Sequence, residues 1–414
     1  MTQKAISFSR IAPCLFSIIV DYMGFGLVYP LVTAMFTQVP ETVFPHIESA
    51  SARDFYLGLS YLLYPLFMFF GASFLGDMSD IYGRKKELLL SMGGILVSFL
   101  LMAYGIYVHS IELFLVGRGA SGLMAGSQPL CMAAIADLST AENKARNMSL
   151  VTLTNCIGLV LGPFIGGVFT ETYFLQWAGF SFPFFLAAVF ALVGFGLIYF
   201  LFEETFVPNR EKTVKFTRPI TIFVDAFKHH HICLLVSVVF TQLLGLMIYY
   251  QIMGIYLREL FHYSSAQLGY FYAFVGLFFA LGILIVLPRA LKRWQLEEIV
   301  GSGFLIMGIC AMVSVLYTNE IYLWALVIPF AASHSIGFSA LAAIFSNAAD
   351  EKNQGWMMGV VAATFAVASV IAGLSTNLLP FTGARGLIGL GGAAGILSSW
   401  VMFYYAKKHR PHRL

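Results

Sequence analysis

The sequence predicts an all-α integral membrane protein with twelve transmembrane helices in two sets of six. Three observations carry that prediction. Twelve apolar stretches recur along the chain, each near the roughly 20 residues that cross a ~30 Å hydrocarbon core as helix. Hydrophobic residues make up 59% of the 414-residue chain and charged residues 11%, against about 25% charged in average soluble proteins. Lysine and arginine cluster at one end of successive spans and are nearly absent from the other, the bias that orients membrane helices.

The first span covers about residues 11–36 and carries Asp21, Gly24, Gly26 and Pro30. It is longer than the apolar core of a cleavable signal. The next five run at about 53–76, 88–108, 111–136, 147–171 and 177–202. A polar segment from Glu203 to Lys228 follows. The second set runs at about 231–257, 265–288, 298–317, 321–346, 355–379 and 384–406. The domain reading is therefore a helical bundle over 1–202, a linker over 203–230 and a second bundle over 231–414. No polar stretch is long enough to fold as a separate soluble domain.

Charge placement gives the orientation. Lys4 and Arg10 precede the first span, and Arg84, Lys85 and Lys86 follow the second. Lys144 and Arg146 follow the fourth, Arg289, Lys292 and Arg293 the eighth, and Lys407, Lys408, Arg410 and Arg413 end the chain. The linker adds Arg210, Lys212, Lys215, Arg218 and Lys228, whereas the opposite side holds only Arg53, Arg258 and Arg385. Both termini and the linker are expected in the cytoplasm, which requires an even number of spans. The expected location is the inner (cytoplasmic) membrane.

Composition also excludes function classes. The five cysteines, Cys14, Cys131, Cys156, Cys233 and Cys310, all fall within spans and show no paired spacing. They read as small apolar core residues, not as a metal or disulfide set. The run His229-His230-His231 reads as an interfacial stretch before the seventh span. No phosphate-binding G-x-x-x-x-G-K loop, H-E-x-x-H or G-x-S-x-G is present, so neither an ATP-driven pump nor a membrane enzyme is indicated. No cofactor, metal or nucleic acid is expected, and the protein is expected to be monomeric.

Charges at depth are costly, so the few present are informative. At 1.5 Å per residue, Asp21 lies about 16 Å beyond Arg10, near the bilayer middle. A carboxylate there costs about 2.5–3.5 kcal/mol on insertion scales, and such residues mark ion or substrate pathways. Arg118 lies about 10 Å below the opposite interface, followed by Gly119, Gly122 and Gly126. Asp21 and Arg118 are expected to sense each other, directly or through water or substrate. A change in their separation would switch the carboxyl between loading and releasing a proton. Neutral polar residues within spans, Gln128, Asn155, Gln242, Tyr249, Tyr250 and His334, are candidate cavity-lining groups. The plainer reading for each is an interhelical hydrogen bond, worth about 0.6 kcal/mol on average.

Five stretches then point to one family. The turn after the second span reads Gly76-Asp77-Met78-Ser79-Asp80-Ile81-Tyr82-Gly83-Arg84-Lys85-Lys86. It resembles the G-x-L-A-D-R-x-G-R-K loop of the major facilitator superfamily, with Ile81 in place of the usual arginine. Asp21 to Leu27, with Pro30, resembles the first-span motif of the drug:proton antiporter branch. Arg118-Gly119-Ala120-Ser121-Gly122 is similar to the fourth-span R-x-x-x-G motif. Gly158 to Gly167, with Gly162, Pro163 and Gly166, matches the fifth-span G-x-x-x-G-P-x-x-G-G motif of antiporters. Glu204-Thr205 resembles the usual end of the sixth span.

The resemblance implies two pseudo-symmetric six-helix bundles with substrate near the midplane and access that alternates. It implies proton coupling through Asp21 and Arg118. It also implies a cytoplasmic latch built from Gly76, Asp80, Gly83, Arg84, Lys85, Asp137 and Arg146, and a gating helix face at Gly158, Gly162, Pro163, Gly166 and Gly167. The expected function is proton-coupled export of a small amphipathic organic molecule: a drug, a metabolite or a siderophore. A proton symporter importing a nutrient, and a transport-inactive sensor or scaffold, are the alternatives.

Overall fold

Hydropathy predicts where helices cross, and backbone chemistry sets where they start, bend and stop. The structure, a computed structural model, describes residues 8–37, 43–139, 143–170, 179–206, 217–226, 228, 230–347 and 354–409. The linker at 207–216, His229 and the side chains of His230 and His231 lie outside that description. The first six spans are α1 (Phe8–Thr37), α2 (Ala50–Tyr82), α3 (Arg84–Tyr107), the pair α4 (Ile111–Met124) and α5 (Ser127–Leu138), α6 (Lys144–Val168) and α7 (Phe182–Leu201). A short α8 (Arg218–Ala226) precedes α9 (His230–Phe261). Then come α10 (Ser265–Leu281), α11 (Leu287–Ala290), α12 (Leu296–Ser314), α13 (Glu320–Asn347), α14 (Gln354–Ser375) and α15 (Leu379–His409). A π-helical stretch, Gly282–Val286, joins α10 to α11 within one span.

Among the described residues, ten helices are long and apolar enough to cross a membrane. One, Gly359–Lys408, holds both the eleventh and twelfth spans, bent at Gly383 (φ 64°). The fourth span completes the twelve. It is split, so neither α4 (14 residues) nor α5 (12 residues) reaches crossing length alone.

The split has a local cause. Pro129 is the third residue of α5. It has no N–H for the Ala125 carbonyl, and its ring would collide with that carbonyl in a continuous helix. The chain therefore leaves the α-helical path at Ala125 (φ −76°, ψ 53°) and restarts after Gly126. The carbonyl freed at Met124 accepts from the Ser91 hydroxyl of α3 at 2.7 Å, as the scarcity of water at this depth requires.

The described residues cluster into two units. One comprises Met1–Glu48, Leu66–Phe216 and Ser264–Ala273, the other Ser49–Pro65, Thr217–Tyr263 and Phe274–Leu414. In the first, α1 packs along α6 and also meets α5 and α7, while α3 packs on α4 and α7. In the second, α15 lies along α9 and α12, α13 packs on α12, and α8 seats on α14. Ala226, Leu235, Val239, Phe304, Phe345 and Met402 are among its core residues. The first part of α2 belongs to this unit: a β-carbon at Gly58 would come within 2.7 Å of the Gly373 carbonyl of α14.

Candidate functional site

Asp21 is the fourteenth residue of the 30-residue α1, at its middle. As a residue it is half-buried. The Ser127 hydroxyl donates to Asp21 Oδ2, and the Gln128 backbone N–H donates to the same carboxyl. Both donors sit in the first turn of α5, at the break in the fourth span. A helix start leaves N–H groups without intrahelical partners and carries a partial positive charge. Next along α1, the Tyr22 hydroxyl donates to Gln128 Oε1 at 3.0 Å. Gln128, a cavity candidate by sequence, is thus tied to the Asp21 site by both backbone and side chain. Arg118 is buried on α4, on the other side of the break.

The fifth-span glycines hold α1 in place. Gly158, Gly162 and Gly166 form one face of α6, as their four-residue spacing requires. A β-carbon at Gly158 would come within 2.8 Å of the Ile19 carbonyl, and one at Gly162 within 2.8 Å of Leu27 N. At Gly166 it would meet the Leu27 carbonyl at 2.5 Å. Backbone thus packs on backbone over the stretch Ile19–Leu27, which contains Asp21. Pro163 presses its ring against Gly26 of α1. Gly167 points elsewhere and packs on Gly269 of α10, where a β-carbon would come within 2.6 Å of the Gly269 Cα.

A second polar cluster surrounds the turn between α2 and α3. Gly83 holds φ 101°, a conformation open to glycine, and α3 starts at Arg84. The Arg84 guanidinium pairs with Asp80 at 3.0 Å and Asp137 at 3.6 Å. It also donates to Ser79 Oγ and lies over the Phe206 ring, 4.6 Å from its centroid. Glu204 caps the start of α3, accepting from the N–H groups of Arg84 at 2.8 Å and Lys85 at 3.1 Å. The motif residues Asp80, Gly83, Arg84, Lys85 and Asp137 are therefore brought together. Gly76 faces open space, and Arg146 stands exposed on α6. Ser79, Glu204 and Phe206 complete the cluster.

The second unit carries its own polar and aromatic group. The Gln242 amide nitrogen donates to His334 Nδ1 at 2.7 Å. The His334 ring packs against Phe279 and stacks on Phe338, with centroids at 5.0 and 5.9 Å. Tyr249 stacks on Phe330 at 3.9 Å, and Tyr250 is buried nearby in sequence on α9. Gln242 Oε1 has no partner, nor does Asn155 Oδ1 on α6 of the first unit. Buried carbonyl oxygens left open in this way are acceptors for a ligand or water. Cys14, Cys131, Cys156 and Cys310 are buried free thiols.

Twelve apolar spans, with an ionisable carboxyl at the centre of the first, define a secondary membrane transporter. The chain belongs to the Major Facilitator Superfamily, whose family model matches residues 14–373. It is 26% identical over 382 residues to the class C tetracycline resistance protein of Escherichia coli, covering 91% of this chain and 92% of that protein. It is 27% identical over 361 residues to the class B protein of the same organism, covering 86% and 84%. In fold it matches the human organic anion transporter MFSD10 (TETRAN), with TM-score 0.70 and 17% identity over 95% of this chain and 99% of that one. A D-xylose-proton symporter matches with TM-score 0.77 and 15% identity over 96% and 97%.

Proposed function

We propose that this protein is a proton-coupled exporter of small amphipathic organic molecules. The observation that carries the reading is the Asp21 carboxyl, half-buried at the middle of α1 and met by two donors from the break in the fourth span. A helix that only had to cross would not carry it. The antiporter-type glycine face of α6 packs on the same stretch of α1, so the proton site and that motif act on one helix. The relatives named for tetracycline resistance support export of such a molecule.

In this reading the bundles over 1–202 and 231–414 rock about a midplane site, joined by the linker over 203–230. Asp21 takes a proton from the outer side and releases it inside, and substrate leaves in exchange. Arg118 modulates that proton step from α4. Asn155 and Gln128 in the first unit, and Gln242, Tyr249, Tyr250 and His334 in the second, contact substrate. The cluster of Asp80, Arg84 and Asp137 is the latch on the cytoplasmic face, with Arg146 at its edge. The protein works as a monomer in the inner membrane, with both termini in the cytoplasm.

The test is Asp21→Asn in everted vesicles with an imposed pH gradient and tetracycline as fluorescent probe. Asn keeps the shape and cannot ionise. Proton-driven accumulation is expected to vanish while the protein still inserts. Intact pH-dependent accumulation would refute the assignment.

A further inference from the structure

The start of α5 is an unusual place for a helix to begin. It lies inside a predicted span, where water is scarce and each unsatisfied backbone group costs several kcal/mol. Four N–H groups at a helix start have no intrahelical partner. Here Pro129 has none to satisfy, and the Leu130 N–H reaches the Gly126 carbonyl at 3.3 Å. The Gln128 N–H is satisfied by Asp21, a residue 107 positions earlier on another helix. The Ser127 hydroxyl adds a second donor to the same carboxyl. Asp21 therefore does for α5 what an N-cap aspartate does within one chain segment.

We propose that Ser127 is a positioning residue for proton transfer at Asp21: its hydroxyl and the Gln128 amide hold the ionised carboxyl against the start of α5, and proton uptake weakens that hold. A serine hydroxyl can donate to a carboxylate and accept from a carboxylic acid. Ser127 thus stays bonded in both states, but its bond and that of the Gln128 N–H are charge-assisted and stronger to the carboxylate than to the neutral acid. The helix-start dipole favours the ionised state in the same way. Each protonation cycle then changes the attraction between α1 and α5 at the Ala125–Gly126 break, where the fourth span has no continuous hydrogen-bond ladder to resist movement.

Other groups around Asp21 leave this role to Ser127. Tyr22, beside it on α1, is bonded to Gln128. From α5, the Cys131 thiol faces Asp21 and Cys14 together. From α6, Cys156 faces Tyr22. α3 meets α1 at Gly24 through the Phe99 ring, and α7 contains no Asp, Glu, Lys, Arg or His. Arg118 is buried on α4, on the other side of the break.

This inference rests on the proposed role of Asp21 as the proton carrier, and the experiment separates the two. Infrared difference spectra of the purified protein in lipid vesicles follow the protonated-carboxyl band of Asp21 through a pH titration, with Asp21→Asn identifying the band. Vesicle transport is measured over the same pH range. In Ser127→Ala, the band and the transport profile are expected to shift together to higher pH by about one unit, a tenfold change in proton binding. Ser127→Cys, of similar size and with a weaker donor, shifts them in the same direction by less. Ser127→Thr, which keeps the hydroxyl, stays near the parent. A titration unchanged in both Ala and Cys variants, or a Thr variant shifted as far as Ala, overturns the inference even if Asp21→Asn is transport-dead. An Asp21→Asn protein that still transports with the parent pH profile overturns the carrier assignment instead.

Discussion

At the scale of single residues, the charges that matter are those with assigned partners. Arg84 is the clearest case. Its side chain is 11% exposed and that of Asp80 22%, so their pair is shielded far better than a surface ion pair. Arg84 also holds Asp137 and covers Phe206, while its backbone N–H is fixed by Glu204. Three other stretches, at Ser79–Asp80, Asp137 and Phe206, therefore meet at one guanidinium. Asp80→Asn keeps the shape and removes the charge. Loss of about 1.4 kcal/mol at a two-state latch changes its population tenfold, so transport is expected to fall about tenfold with membrane insertion intact. Normal flux from correctly inserted protein, measured alongside a surface-accessibility label, would remove the latch from the mechanism. Much of this cluster is readable in the sequence, because Asp80, Gly83 and Arg84 lie within one short motif. Glu204 and Phe206 are about 120 residues further on, and no local pattern announces that they return to cap α3.

At the scale of helices, hydropathy predicts the spans well and hides the feature that builds the site. The apolar pattern runs without interruption through 111–136, yet the backbone breaks at Ala125–Gly126. Pro129 preceded by Gly126 is the signal, and it is ambiguous, since membrane helices tolerate proline when neighbours satisfy the freed groups. Here Ser91 and Asp21 are those neighbours. Ser127 likewise reads as one more small residue in a glycine-rich helix until the break turns it toward α1. The expectation that Asp21 and Arg118 sense each other, directly or through water or substrate, comes from their depth and opposite sign; the donors that meet the carboxyl come from the start of α5. Pro129→Ala tests what the break does. Alanine restores an N–H for the Ala125 carbonyl and removes the ring clash, and in a helix interior it is favoured over proline by about 3 kcal/mol. α4 and α5 are expected to join, drawing Ser127 and the Gln128 amide away from Asp21. The variant should melt at the parent temperature or above in detergent and lose most of its transport. A variant that transports normally with continuous α4–α5 helix would show that the break is incidental to function.

At the scale of the whole molecule, the proposed export draws its energy from the proton gradient across the membrane. The proton gradient has two components, and they act differently on an exporter. A one-unit pH difference is worth 1.36 kcal/mol per proton, about a tenfold concentration ratio. An electrical potential of 100 mV is worth about 2.3 kcal/mol per net charge moved, about fiftyfold by the same conversion. Both act through Asp21 if its carboxyl is the carrier, but only the second depends on the charge of the substrate. A neutral substrate exchanged for one proton moves one net charge and uses both components. A monovalent cation exchanged for one proton moves none and responds to the pH difference alone. Everted vesicles with an acid interior are therefore expected to accumulate a neutral amphipathic dye whether the pH difference or an interior-positive potential is imposed. A cationic dye should respond to the pH difference only. Collapse of the pH difference with nigericin and of the potential with valinomycin, each in turn, separates the cases. Accumulation of both dyes that survives the two ionophores together would mean that no proton step drives transport.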